Sequence, residues 1–303
     1  MAYMNFPEVW EKRVREQITS ADKAPFFEGI EEFDSPITIM GAGTAGEKNL
    51  IHIPLANIDP QVLINNTTYP LAVVEYTDDG VVVALDKYQT EVTSVPDDAV
   101  VGASYDRIDV TTRGHMRNIT SRKIQKGVHS LAPDQGKAET PVLIATGDPD
   151  PNGRPTLIYD DLVSARRELD NVDTPQEDRR LILTSDHWND LLMDRKNFGN
   201  LLIDYNAGKP APIIAGFQIY SYINNPLYDI TTKTKKPFGA VATANDRKAS
   251  VMFYAPNIGK KTGITKQYYL PSELNPRSQA NELNYRHYFI VTPVHKQYLG
   301  AII

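Results

Sequence analysis

Residues 97–131 constrain this chain more than any other stretch. Val101, Tyr105, Ile108, Thr112, His115 and Ile119 recur at spacings of four, three, four, three and four, the period of one helical face. Met116, Thr120, Ile124, Val128 and Leu131 continue that face, and Ala132-Pro133 stops it. Asp97 or Asp98 can cap the start. At 1.5 Å per residue the helix would run roughly 50 Å, against an ordinary helix of about 11 residues. Gly102, Gly114 and Gly127 argue against a straight rod.

The chain before this helix has no local core of its own. Residues 7–19 read as a short amphipathic helix through Val9, Trp10, Val14 and Ile18, with Pro7 at its start. Ala21 to Pro36 carries Phe26, Phe27 and Phe33 without a period. It reads as an extended arm that packs on something other than its own neighbourhood. Residues 50–95 read as two long strands with an elaborate tip. The outgoing arm alternates through Ile51, Ile53 and Leu55, and the return arm runs from Val81 to Thr93. Asp78-Asp79-Gly80 is a turn signal. A long hairpin is marginal alone in water, so this one implies a partner surface and, through it, assembly.

Past the helix the pattern becomes mixed. Residues 134–155 are turn-rich. The carboxylates at Asp148 and Asp150 do not complete a calcium loop, because Tyr159 stands where its last ligand should be. A helix capped by Asp160 presents Leu162, Ala165, Arg166 and Leu169. A charged loop, 173–180, leads to a buried strand at Leu181-Ile182-Leu183. A second helix, capped by Thr184 or Ser185, carries Trp188, Leu191 and Leu192. Strands are expected at 212–222, 238–254 and 288–292. The order of elements is α+β rather than a repeating β-α array.

The opening glycines pose a functional question. Ile37-Thr38-Ile39-Met40 leads into Gly41-Ala42-Gly43-Thr44-Ala45-Gly46, a literal G-x-G-x-x-G. A dinucleotide site requires a helix at the third glycine, aimed at the pyrophosphate. The residues that follow alternate at period two, and Pro54 would break a helix. An NAD-linked oxidoreductase using Gly41–Gly46 is therefore the alternative reading, and a flexible hinge at Gly41, Gly43 and Gly46 the preferred one.

Other chemistry is sparse. The 303 residues contain no cysteine, which removes disulfides, thiolate metal sites and thiol nucleophiles. No apolar run is long enough for a membrane helix, and the N-terminus has no signal-peptide pattern. No two of the six histidines stand at the i, i+4 spacing of a zinc pair, and each reads as a packing or surface residue. Ser104 is not in a nucleophile elbow. No catalytic, cofactor-binding or metal-ligating residue is assigned. The net charge of −6 argues against a chain whose main work is gripping phosphates.

The ordered set of features resembles the major capsid proteins of tailed bacteriophages, with the Hong Kong 97-type fold. EKNLIHIP resembles the strand that opens that family's extended loop. VALDKYQTEVTSVPDDAVVGASYDRIDVTTRGHMRNI resembles its return strand running into the long spine helix. LIYDDLVSARRELDNVDTPQEDRRLIL followed by SDHWNDLL is similar to the axial-domain pattern, and IIAGFQIYSYINNP and PFGAVATANDRKASVMFYAP to that domain's later strands. The resemblance implies an N-terminal arm and hinge at 1–45, an extended loop at 46–96 and a peripheral spine helix at 97–135. An axial domain follows at 136–235, then strands returning to the core at 236–303. It implies a structural, non-enzymatic protein that assembles with itself, as pentamers and hexamers, into an icosahedral head enclosing double-stranded DNA. No cofactor, membrane or sequence-specific DNA contact is implied. A separate scaffolding protein, a portal and decoration or head-fibre proteins would be its other partners. Its location would be the virion capsid, built in the host bacterial cytoplasm. An acidic chain would suit an inner surface that holds DNA without sticking to it.

Overall fold

The structure, a computed structural model, describes residues 24–40, 48–56, 62, 64–67, 69–70, 78–96, 107–151, 153–194, 203–204, 209–210 and 213–303. The expected helix at 7–19, the glycines 41–46 and the first turns of the long helix lie outside these residues.

Strands β1 (Thr38–Met40), β2 (Lys48–Ala56) and β3 (Asp78–Ala84) form one antiparallel sheet in that order. Asp78 and Asp79 are not a turn. They extend β3 opposite Ala56 and Leu55. The expected return arm is also not one strand. At the buried Leu85, whose N–H donates to the Asn49 carbonyl (2.8 Å), the chain changes sheets. β4 (Asp86–Gln89) and β5 (Thr93–Pro96) then pair with a distant strand. Helix α1 follows, described over Arg107–Leu131.

The second half begins with β6 (Val142–Leu143), α2 (Tyr159–Asn171), β7 (Arg179–Leu183) and α3 (Ser185–Met193). Two short pairs come next: β8 (Ile203–Asp204) with β9 (Lys209–Pro210), and β10 (Ile213–Ile214) with β11 (Phe217–Ser221). β12 (Leu227–Asp229), β13 (Thr234–Lys235) and β14 (Asp246–Lys248) make a small sheet. β15 (Ser250–Tyr254), β16 (Ile258–Leu270), β17 (Ala280–Pro293) and β18 (Leu299–Ile302) complete the order.

The caps differ in detail from expectation. Asp160 does not cap α2. Asp161, one turn in, accepts from the N–H of Ile158 (3.1 Å) and of Thr146 (3.1 Å). Thr184 caps α3 by accepting from the N–H of His187 (3.2 Å).

A six-stranded mixed sheet, β10-β11-β7-β15-β18-β6, carries the largest core. Strand alternation explains it. Leu181, Leu183, Met252 and Ile302 face one way, onto Leu162, Ala165 and Leu169 of α2 and Leu191 of α3. Ile182, Val251, Phe253 and Ala301 face the other way, onto Val128 and Leu131 of α1 and onto Phe26 and Phe27. Both faces are covered, so β7 is buried along its whole length. Arg179 and Arg180, expected in a charged loop, belong to this strand. Residues 238–245, expected as strand, form turns before β14.

A second sheet, β16-β17-β4 with β5 also on β17, carries α1. Met116 and Ile119 pack on Leu283 and Tyr285. Only residues 288–292 of this 27-residue pair of strands were anticipated from sequence.

The arm before β1 is stitched to this chain's own core. Phe26, Phe27 and Ile30 are buried. A Cβ on Gly127 of α1 would stand 2.9 Å from the Phe27 ring, so that glycine makes room for the arm. Arg180 donates through Nη1 to the Phe26 (2.9 Å) and Glu28 (2.6 Å) carbonyls. Phe33 donates its N–H to Lys260 (2.9 Å), and Lys260 donates to Glu31 (3.1 Å).

Candidate assembly surface

The hairpin sheet is the region whose chemistry the single chain leaves incomplete. On its inner face Ile51 is 0% exposed and Ile53 7%. They rest with Leu85 on Tyr288, with Phe33, Ile37 and Ile290 around them. Val81, directly opposite Ile53, is already 43% exposed, and Val82 on the other face 53%. At the near end Ile39 is 47% and Met40 61% exposed. Beyond β2, the described tip residues Val62, Ile64 and Tyr69 are exposed too. Apolar side chains thus continue outward past the point where the body stops covering them. At about 25 cal/mol per Å², covering several such groups is worth a few kcal/mol, and a monomer forgoes it. Exposed apolar residues gathered on one small sheet and its tip are what an interaction surface offers.

The glycine segment sits inside this element. It joins β1 to β2, which are antiparallel neighbours with Met40 opposite Lys48. A dinucleotide fingerprint needs a helix after the third glycine and then a parallel strand. Here a strand begins at Lys48, so the structure overturns the alternative oxidoreductase reading. The hinge assignment for Gly41, Gly43 and Gly46 itself falls outside the described residues.

Four of the six histidines are packing groups, and His52 and His295 are exposed. His187 is buried, with Nδ1 2.7 Å from Ser250 Oγ, and burial holds its pKa down at about 4. His287 is fully buried, with Nδ1 2.9 Å from Thr265 Oγ1. Burial, and then the neighbouring Lys123 cation, lower it to about 3. His115 approaches Thr93 Oγ1 at 2.9 Å, and His129 Nε2 donates to the Lys236 carbonyl at 2.9 Å. Burial lowers both pKa values. Among the described residues no three His, Asp or Glu side chains are placed to hold a metal ion.

Two arginines that sequence reasoning passed over fix the body that carries the hairpin. Arg154 grips Asp190 of α3 through both Nη atoms, each at 2.7 Å. This fork holds the turn-rich loop onto the helix. Arg180 ties down the arm as described. The one sequence signal for Arg180 is that it directly precedes the continuous apolar run Leu181-Ile182-Leu183. Nothing local marks Arg154.

No family model matches the sequence, and no curated protein matches it. Solved structures do. The capsid of cyanophage P-SCSP1u superposes with a TM-score of 0.59 at 13% identity, over 91% of this chain and 90% of that one. The Mycobacterium phage Che8 structure gives 0.54 at 15% identity, over 84% of each chain. A virus-like particle from Pyrococcus furiosus gives 0.56 at 7% identity, over 99% and 100%. The chain therefore has the α+β capsid fold of tailed phages, as the sequence resemblance implied.

Proposed function

We propose that this chain is a major capsid protein, which assembles with itself into the icosahedral head shell of a tailed phage around double-stranded DNA. The observation that carries the reading is the pairing of a capsid fold with a projecting apolar hairpin that its own body does not cover. Neighbouring copies in pentamers and hexamers are the natural cover, since a stable interface buries about 800 Å² per partner. In this reading β2 and β3 belong to the extended loop (46–96), β1 to the arm and hinge (1–45), and α1 to the spine helix (97–135). The six-stranded sheet with α2 and α3 forms the axial domain (136–235, with returning strands from 236–303). The arm (1–45) is divided. Residues 24–36 serve the chain's own core, and 38–40 pair as β1 in the hairpin sheet. The role calls for no catalytic step. Scaffold, portal and decoration proteins would be its partners, with assembly in the host cytoplasm and the virion capsid as destination.

Negative-stain microscopy tests the proposal, on the protein expressed alone and with the products of neighbouring genes. Closed shells, capsomer rings or polyheads are expected in at least one sample. Small monodisperse oligomers in both would overturn the reading.

A further inference from the structure

The acidic total hides a basic helix. Within Arg107–Leu131 stand Arg107, Arg113, Arg117, Arg122, Lys123 and Lys126 against Asp109 alone, in a chain of net charge −6. Lys123 is buried under the Phe289 ring. Lys126, three residues on, leans the same way into the groove beside β4, and Arg113, Arg117 and Arg122 stand further round. At 3.6 residues per turn, Thr112, Met116, Ile119 and Lys123 line the side that packs on β17. Opposite them lies a low, uncharged strip of Gly114, Asn118, Ser121 and Gln125. Arg113 and Arg117 flank it on one side and Arg122 on the other, with Lys126 beyond Arg122 toward the groove beside β4.

This pattern is unusual for a solvated helix. Such helices mix signs at i, i+4 to gain a few tenths of a kcal/mol per pair. Here Arg113–Arg117 and Arg122–Lys126 are like-charged i, i+4 pairs, which cost a similar amount. Arg113 has Asp109 at 3.1 Å. Among the described residues, Arg117, Arg122 and Lys126 have no carboxylate within ion-pair distance. Arg122 donates only to Gln125 Oε1 (3.2 Å), and Lys126 lies 5.1 Å from the Phe238 ring centroid. The acidic groups nearby are Asp86 and Glu91, which share with Arg122 and Lys126 a groove of about 600 Å³ between α1 and β4–β5. The row from 113 to 126 spans about 20 Å, the length of roughly six base pairs at 3.4 Å each.

We propose that this face of α1 binds the phosphate backbone of the enclosed double-stranded DNA. The assignment rests on the shell reading above, and it replaces the expectation of a surface that avoids DNA with one local row of contacts. The ligand is a polyanion without sequence requirement, because the strip between the cations is too uniform to read bases.

The test uses the full chain and a fluorescent 20-base-pair duplex of mixed sequence, titrated across a range of salt. The wild-type protein should bind, with log affinity falling linearly against log salt. The triple variant Arg117→Gln, Arg122→Gln, Lys126→Gln keeps side-chain length and helix propensity. It should lose at least roughly tenfold in affinity, with a slope shallower by about 3. Arg167→Gln with Arg277→Gln, at exposed positions elsewhere, should change neither. Absence of wild-type binding, or an unchanged slope in the triple variant, would overturn the proposal. So would tighter binding of polyglutamate than of duplex at equal charge concentration, which would assign the face to an acidic protein partner. Microscopy of the same samples scores shell formation independently, so that failed assembly and failed DNA contact read differently.

Discussion

The six-stranded sheet and the three-stranded hairpin sheet are made of similar residues, and they end in opposite states. β7 and β15 are rich in aliphatic and aromatic side chains, and both their faces are covered by α2, α3, α1 and the arm. β2 and β3 carry Ile, Leu and Val at comparable density, yet among their described side chains only Asn49, Ile51 and Ile53 are buried. The difference lies in what the chain supplies around each sheet. The first is a finished core. The second is half of one, left open in the single chain. Stability of the monomer and competence to assemble should therefore be separable by mutation.

Phe253→Ala attacks the finished core. It should cost about 3–5 kcal/mol, read as a lower denaturant midpoint, and deplete soluble protein altogether. A normal midpoint would remove the distinction between the two sheets.

Acid should act on the body next. His187 and His287 have folded pKa values of about 4 and about 3, below the ordinary 6.5. The unfolded chain thus binds the extra protons first. Stability is complete above pH 6.5 and falls as pH drops toward 4, by about 3 kcal/mol for each histidine. Denaturant melts from pH 7.5 to 4 check the sign. In His187→Gln the slope should be shallower by one proton.

Arg180→Ala is smaller and local. It leaves the Phe26 and Glu28 carbonyls without their buried donor, a loss of about 1–3 kcal/mol. Faster protease cleavage between residues 24 and 36 should report release of the arm. Uniform loss of stability with no new cleavage site would mean that the arm is held mainly by its phenylalanines.

The smallest effect on the monomer belongs to the hairpin. Val81→Asp with Val82→Asp should leave the unfolding midpoint within about 0.5 kcal/mol of wild type while preventing shells. Normal shells from this variant would show that the exposed valines are not the covered surface.

Much of this arrangement was legible from residue patterns. The long helix, the outgoing strand through Ile51 and Ile53, α2, α3 and β7 each follow a period that their burial requires. β16 escaped notice because IGKKTGITKQYYL mixes lysines and glycines that read as loop. It is a strand because β17 pairs with it along nearly its whole length, which is a tertiary cause. Turn chemistry misled at Asp78-Asp79-Gly80 for the same reason, since pairing with β2 overrides it. The arm's phenylalanines announced a distant contact without naming it. Composition could not reveal the basic face of α1, because a net charge averages over the whole surface.

The position of β18 sets a schedule. Residues 299–302 lie between β15 and β6, antiparallel to the first and parallel to the second. Leu299, Ala301 and Ile302 are buried there. β6 is therefore cut off from the rest of its sheet until the last-made of its strands arrives, more than 150 residues later. Contacts so distant in sequence close slowly. The hairpin waits on the same late segment, because its root at Ile51 and Ile53 rests with Leu85 on Tyr288 of β17. A chain still being made therefore lacks both its closed sheet and the seat of its hairpin, and its apolar strands stay uncovered until the last sixteen residues are in place.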